Sequence, residues 1–273
     1  MTEAKKTCFI IGSGQSMLDL SSRELQLLNK HTQTLALNKF LLFHKKINLV
    51  PKFCFLADRH YPAQFVFFES LRIARKLGSE IRFFVNEYYR ETLVFPGRNF
   101  KTALERRKQV YAENCYWMPF LSSYKNIEYF KNDQCSDPRS FYWAETLQEK
   151  LFFYRGSLTT AINLAAIVFP GSDICLVGVD LKELSPFFEQ EIKKVHRLHN
   201  GLNEGTLRKH KMAQDAGIHL TALEYNGTPG VQAVLPRVVS HLQERGVDLV
   251  SANCNSLLVE EKICSYRSIE DCL

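Results

Sequence analysis

The chain has 273 residues, of which 45% are hydrophobic and 23% charged, and its formal net charge is +6. This composition excludes disordered and fibrous proteins, and the length allows one large domain. The excess charge lies in short clusters such as 208–211, which attract phosphates, sugar acids or anionic lipid head groups. No nucleic-acid-binding motif accompanies these clusters, so we expect no nucleic-acid partner. The 20 Phe and 11 Tyr leave room for a subunit interface in a homo-oligomer.

The lack of a recognisable targeting signal and the spacing of the cysteines together predict a cytoplasmic location. The first apolar run, 8–11, is far shorter than the roughly 20 residues that span a bilayer, and it does not resemble a signal peptide. Eight cysteines lie far apart and form no Cys-x-x-Cys pair. This spacing indicates reduced thiols and argues against a structural zinc site.

Short apolar runs alternate with helical patterns, which is typical of βαβ units. We therefore predict an α/β fold, a Rossmann-like doubly wound and mostly parallel sheet, in a single domain over 1–273. A polar stretch, 134–142, interrupts the pattern, and the charged segment 182–217 is expected to be a lid or small subdomain. The predicted strands are 8–12, 34–37, 52–57, 81–85, 109–116, 173–179 and 247–251, and the predicted helices are 22–30, 63–77, 157–169 and 231–245.

A glycine-containing loop follows the first predicted strand. Glycines at this position let the backbone turn sharply and approach a phosphate or ribose, and amides at the next helix start can bind an anion. A tight structural turn explains the same residues. A classical NAD site is disfavoured because Met17 stands where its third glycine would be. The loop residues are Gly12, Ser13, Gly14, Gln15 and Ser16.

Polar residues also follow three other predicted strands. Asn38 comes after the second strand, Asp58 after the third and Asp180 after the sixth. Ligands of open α/β sheets bind at the carboxyl ends of the strands, and an amide or carboxylate there can orient a base or hydroxyl. Each residue is also a common turn or capping residue. Their repetition favours a binding site.

A further cluster, Arg155 to Thr160, opens the predicted helix 157–169. Ser157 and Thr159 are suited to capping this helix, and together with the Arg155 guanidinium they are equally suited to binding a phosphate or carboxylate. Four histidines in or beside the predicted lid are candidate general bases, although a surface or core histidine is more common. They are His196, His199, His210 and His219.

Four stretches of the chain together resemble the bacterial sialyltransferases of glycosyltransferase family 42. They are 11–16, 38–40, 155–166 running into 174–180, and 253–258, in the order and spacing of that family. The resemblance implies a GT-A-like variant of the Rossmann-like fold with a lid. It also implies a CMP-activated nonulosonic acid donor such as CMP-sialic acid, no metal or cofactor, and inversion at the anomeric carbon.

The resemblance assigns roles by position. The loop 12–16 and Asn38 would contact the nucleotide, and Asp58 would contact the donor or acceptor. Arg155, Ser157 and Thr159 would line the donor site. The acceptor would be a glycan or lipid-linked glycan of lipopolysaccharide or capsule synthesis, with peripheral association at the inner membrane. The remaining residues assigned to the nucleotide-sugar site are Asp180, Asn255 and Ser256.

The chain departs from the family pattern at two places. The family's general-base histidine aligns without gaps with Pro229, so His219, ten residues earlier, is the candidate base if the connection is longer here. The family's lid tyrosines are also missing. Phe187 or Phe188 stands in that region, and Lys182 is the candidate for neutralising the leaving phosphate.

Two other functions stay open from the sequence. Similar Gly-x-Gly-x-Ser starts occur in the family that includes archaeal pterin pyrophosphokinases, which are magnesium-dependent, although few acidic residues stand at the predicted strand ends. Loss of the family's base at Pro229 is also consistent with a non-catalytic nucleotide-binding protein.

Overall fold

The computed structural model describes residues 6–57, 63–78, 80–89, 126–182, 185–194 and 204–273. These residues contain a nine-stranded sheet in the order β6-β5-β4-β3-β2-β1-β7-β8-β9, in which every neighbouring pair is parallel. The predicted Rossmann-like α/β class is thus confirmed. The strands are β1 (Thr7–Ile11), β2 (Thr34–Leu37), β3 (Phe53–Leu56), β4 (Arg82–Asn86), β5 (Ile127–Gln134), β6 (Lys150–Phe153), β7 (Asp173–Val177), β8 (Leu249–Ser251) and β9 (Ser265–Tyr266).

Eight α-helices accompany the sheet in the described part of the chain. The helices predicted at 22–30 and 63–77 are present with the same bounds, and the other two differ by a few residues at their ends. They are α1 (Ser22–Lys30), α2 (His44–Ile47), α3 (Ala63–Leu77), α4 (Ser157–Val168), α5 (Glu189–Lys194), α6 (Glu204–Asp215), α7 (Leu235–Glu244) and α8 (Leu257–Glu260).

The core lies on both faces of the central strands. All five residues of β1 and all five of β7 are buried, as expected for parallel strands that are covered on both faces. Ile10 and Leu176 belong to the core on one face, and Phe9 and Val177 to the core on the other. Helix α4 packs into the first of these layers and is buried from Leu158 to Ala165.

Three strands were not predicted, namely β5, β6 and β9. They lie towards the two ends of the sheet. β5 contains several polar or charged residues, β6 has an apolar run of only three residues, and β9 consists of two exposed residues. The predicted break at 134–142 begins at the last residue of β5 and contains a 3-10 turn at Pro138–Ser140. The predicted strand 109–116 lies outside the described residues.

The strand order reverses next to β1. Strands β2 to β6 extend from one side of β1, whereas β7 to β9 extend from the other side. In open α/β sheets the crevice at such a switch point, at the carboxyl ends of the strands, is where ligands bind. The loops after β1 and β7 therefore define the expected position of a site.

Where it is described, the segment 182–217 contains the helices α5 and α6 together with short non-helical stretches at 185–188 and 216–217. No helix among the described residues is long and apolar enough to cross a membrane.

Candidate ligand-binding site

A cavity of about 410 Å³ lies at the carboxyl ends of β1, β2 and β7, a size suited to a small-molecule ligand. It is therefore located at the switch point of the sheet. Its walls bring together several predicted site residues from distant parts of the sequence, namely Gly12, Ser13, Gly14, Asn38, Ser157, Asp180 and His219.

The two loop glycines pack the β1 loop onto the β7 loop. The Gly12 N–H donates to the Val177 carbonyl at 2.7 Å, and the Gly14 N–H donates to the Gly178 carbonyl at 2.7 Å. A Cβ atom on Gly12 would collide with the Gly178 carbonyl, and one on Gly14 would collide with the Asp180 carboxylate. Close contact between the two loops is therefore sufficient to explain why glycine stands at both positions.

Asp180 connects three loops at the edge of the cavity. One carboxylate oxygen accepts from the Ser16 hydroxyl at 2.5 Å and from the Asn253 side-chain amide at 2.8 Å. The other accepts from the Ser16 backbone N–H at 3.0 Å. Because Ser16, Asp180 and Asn253 follow β1, β7 and β8, this carboxylate holds the loops in their relative positions.

Asn38 connects two other walls of the cavity. Its backbone φ is 47°, a left-handed conformation that Asn adopts more readily than most residues. The side-chain oxygen accepts from the Ala57 N–H at 3.0 Å, and the side-chain amide donates to the Ser157 hydroxyl at 2.9 Å. Since Ser157 accepts this bond, its own hydroxyl hydrogen can still be donated to a ligand.

Lys39 contributes a positive charge to the cavity wall. In the described part of the chain it forms no ion pair. The sequence analysis did not select this residue, although its position directly after Asn38 at a strand end was a usable signal. Lys39 is the lysine that lines the cavity, and it can attract an anionic ligand.

The start of α4 forms another wall. Gly156 precedes the helix with φ 120° and provides no side-chain cap. Because the first residues of α4 line the cavity, the positive end of the helix dipole lies beside it. Thr159 does not reach the cavity. It is fully buried, and its hydroxyl accepts from the Tyr154 N–H at 3.0 Å. Its role is to hold the first turn of α4 against the end of β6.

His219 lines the cavity together with Thr221, whose methyl group packs against Gly156. The His219 N–H donates to the Leu181 carbonyl at 2.9 Å, which fixes the backbone against the end of the β7 loop. Its ring Nδ1 is 2.9 Å from the Thr221 hydroxyl and 3.3 Å from the Thr221 backbone N–H. Thr221 therefore orients the imidazole, a role that the sequence analysis missed because nothing in the sequence marks it.

Pro229, which aligns with the base of the resembled family, does not line the cavity. Its carbonyl accepts from the Tyr154 hydroxyl at 2.9 Å. Phe188 forms part of the cavity wall and stacks on Phe43 with ring centroids 4.1 Å apart, whereas Phe187 is buried behind it. An apolar surface therefore stands in the region where the family has lid tyrosines.

Other predicted site residues do not line the cavity themselves and make structural contacts. Gln15 donates to the carbonyls of Ser185 and Pro186 at 3.1 and 3.0 Å. Lys182 forms an ion pair with Glu260, so it is not directed at the cavity as a free charge.

The remaining predicted positions are Arg155, Asn255, Ser256 and Asp58. Arg155 donates to the Leu223 carbonyl, and Asn255 is exposed at the surface. Ser256 caps α8 by accepting from the Val259 N–H at 3.3 Å. Asp58, His196 and His199 lie outside the described residues, as does the side chain of His210.

The acidic residues and histidines do not cluster as metal ligands do. Over the described ranges, no group of three or more His, Cys, Asp or Glu side chains could hold a metal ion. The fold and the cavity thus define a Rossmann-like α/β protein with a cavity at the switch point of its sheet.

No family model and no curated protein matches the chain. Among solved structures, the sialyltransferase CstII from Campylobacter jejuni, in complex with the substrate analogue CMP-3FNeuAc, is similar with a TM-score of 0.46 and 16% identity over 98% of this chain and 88% of that one. A tyrosine-to-phenylalanine variant of the sialyltransferase Cst-II, in complex with CMP, has a TM-score of 0.45 and 15% identity over the same shares of the two chains. Similarity at this level does not define a function, which has to be inferred from the cavity.

Proposed function

We propose that this protein is a glycosyltransferase that transfers a nonulosonic acid, such as sialic acid, from a CMP-linked donor to a glycan or lipid-linked glycan. The observation that carries the proposal is the position of His219. Its imidazole lies on the wall of a switch-point cavity that the β1 loop, Asn38 and Ser157 also line. This arrangement supplies a nucleotide-type binding site and a candidate base within one cavity.

The donor would carry negative charge on its phosphate and on its sugar carboxylate. Lys39, the Ser157 hydroxyl and the amino end of α4 together provide a cation, a hydrogen-bond donor and a positive dipole on the cavity walls. Lys39 takes over the charge-neutralising role that the sequence analysis gave to Lys182, because Lys182 is paired with Glu260.

His219 would act as the general base. The Thr221 N–H and the Thr221 hydroxyl both lie within hydrogen-bond reach of Nδ1, so the contacts accommodate either ring tautomer. In the tautomer whose Nδ1–H donates to the Thr221 hydroxyl and gives up the bond from the Thr221 N–H, Nε2 carries the lone pair that accepts a proton. The acceptor hydroxyl gives this proton to Nε2 while its oxygen attacks the anomeric carbon. The bond between that carbon and the CMP phosphate breaks, CMP leaves, and the configuration is inverted. Charge on the leaving phosphate would be stabilised by Lys39.

Ligand-dependent thermal stabilisation tests donor binding. Purified protein is melted with CMP, CDP, UDP, GDP, ATP or NAD, each with and without magnesium, because a ligand that binds only the folded state raises its stability. A shift selective for cytidine nucleotides without metal is expected. An ATP shift that requires magnesium would replace the proposal with the pyrophosphokinase function.

Turnover of CMP-sialic acid tests the role of His219. We expect His219→Ala to lower kcat by at least about 100-fold, the usual contribution of a general base, while the Kd for CMP stays unchanged. Thr221→Val should lower kcat and Thr221→Ser should retain it, because only serine keeps the hydroxyl that orients Nδ1. Full activity of His219→Ala would exclude it as the base, and CMP binding with no turnover in the wild type would indicate a non-catalytic nucleotide-binding protein.

A further inference from the structure

Arg155 lies just outside the cavity and has an unsatisfied hydrogen-bond donor. It adopts a left-handed backbone conformation with φ 52° and directs its guanidinium to the Leu223 carbonyl. The Nε–H of the same guanidinium is buried and has no hydrogen-bond partner. A buried, unpaired donor is unfavourable, and this one belongs to a charged group, so an anion is the ligand that would satisfy it best.

A second cation lies beside it. Lys209 of α6 places its Nζ 4.7 Å from the centre of the Tyr225 ring. Leu223 and Tyr225 are two residues apart, so Arg155 and Lys209 contact the same short segment. Burial, together with the charge of Arg155, lowers the pKa of Lys209. The two positive charges therefore repel each other across a partly buried space.

No carboxylate of the described residues forms an ion pair with either Arg155 or Lys209. Glu224, which stands between Leu223 and Tyr225 in the sequence, is exposed and forms no ion pair with either cation. In the described part of the chain these two cations thus have no carboxylate partner, and one of them has an unpaired N–H, an arrangement suited to binding an oxyanion.

The pair formed by Arg155 and Lys209 lies outside the nucleotide-type cavity. Gly156 and Thr221 both line that cavity and pack against each other, so closely that a Cβ atom on Gly156 would collide with the Thr221 methyl group. Arg155, next to Gly156, does not line the cavity. Arg155 adjoins Gly156 in the chain and the His219 ring contacts Thr221, so the pair and the imidazole lie at the two ends of the same Gly156–Thr221 contact.

We propose that Arg155 and Lys209 form an oxyanion-binding site beside the cavity, and that the acceptor of the transfer carries the oxyanion, a carboxylate or a phosphate. The assignment to the acceptor rests on the proposed function. The existence of the oxyanion site does not, because it follows from the two cations and the unpaired donor alone.

Inorganic phosphate is the probe for the site itself. Phosphate binding is titrated by ³¹P NMR with wild type, Lys209→Gln, Lys209→Arg and Lys211→Gln. Lys211 is an exposed lysine of the same helix and serves as the matched control. We expect Lys209→Gln to raise the Kd for phosphate about tenfold, and the other two variants to bind like the wild type. Equal phosphate affinity in Lys209→Gln and wild type would overturn the site.

A second titration assigns the oxyanion to the acceptor. Phosphate binding is repeated with saturating CMP, and an unchanged phosphate affinity supports a site separate from the nucleotide. Displacement of phosphate by CMP would overturn the assignment to the acceptor, because the same cations would then bind the nucleotide. If CMP does not bind at all, the proposed function fails and the acceptor assignment fails with it. The comparison between Lys209→Gln and Lys211→Gln still decides the oxyanion site in that case.

Discussion

At the scale of single residues, the cavity depends on side chains that hold its loops as well as on side chains that face a ligand. Asp180 has a carboxylate that accepts three hydrogen bonds from Ser16 and Asn253. These bonds connect the ends of β1, β7 and β8. Asp180 is therefore a positioning residue for the site, although it was first selected as a residue that contacts the nucleotide.

This role predicts energetic coupling between Asp180 and Ser16. Asp180→Asn should lower the free energy of unfolding by about 2 kcal/mol, because an amide cannot accept at both of its ends and leaves a donor unpaired. In a double-mutant cycle with Ser16→Ala, the coupling energy should be about 1–2 kcal/mol. Urea denaturation measures both values. Asp215→Asn, at an exposed position at the end of α6, is the control, and strictly additive effects would show that the contact does not stabilise the loops.

From the sequence we could predict where such residues lie when they directly follow a predicted strand. Gly12, Asn38 and Asp180 were selected because the carboxyl ends of parallel strands meet at one edge of a sheet, and all three line the cavity. The sequence could not show that Gly12 packs against Gly178, or that Thr221 orients His219. Such contacts depend on the three-dimensional proximity of loops that lie far apart in the chain.

At the scale of secondary-structure elements, helices whose ends are set by local contacts were the most predictable. Ser21 accepts from the Glu24 N–H at 3.2 Å, and Glu24 accepts from the Ser21 N–H at 2.8 Å, forming a capping box. All the residues that define this helix start lie within four positions. The observed bounds of α1, Ser22–Lys30, equal the predicted ones.

The capping box provides a test of local stabilisation. Ser21→Ala should lower the free energy of unfolding by about 1 kcal/mol, because the Glu24 N–H loses its acceptor and the Ser21 hydroxyl can no longer bond the Glu24 carboxylate. Thermal denaturation compares this variant with Ser22→Ala, one position later and also exposed, which should change the stability by less than about 0.5 kcal/mol. Equal effects of the two substitutions would contradict the importance of the cap.

Strands whose pairing depends on distant partners were harder to predict. β5 has the sequence Ile127–Gln134, with exposed polar residues near its end, and it is a strand because β4 lies on one side of it and β6 on the other. An apolar pattern cannot reveal such a strand, because the neighbouring strands supply the hydrogen-bond partners.

At the scale of the whole molecule, the two-sided core controls the chemistry of the thiols. Among the described residues, Cys254 is exposed, Cys135 is partly exposed, and the other cysteines are buried. Burial raises the pKa of Cys264 to about 11, and burial also raises the pKa of Cys54. Both effects protect the buried thiols, because the thiolate is the reactive form.

Alkylation should therefore report the stability of the fold. We expect Cys254 to react with iodoacetamide at pH 8 at the rate of a free thiol, and Cys54 to react at least about a thousandfold more slowly, because it is exposed only in rare openings of the core. Mass spectrometry of peptides after timed labelling measures the two rates. Cys254→Ser should remove the fast phase, whereas similar rates at Cys254 and Cys54 would show that the core around β3 opens readily.

The place of β1 in the sheet has a consequence for biosynthesis. Thr7 to Ile11 pair with Asp173 to Val177, so the ribosome delivers β7, the second neighbour of β1, only after it has made β2 to β6. Until then an apolar strand edge stays open in the nascent polypeptide, where it can pair with other chains. The centre of the sheet can therefore form only after β7 has been synthesised.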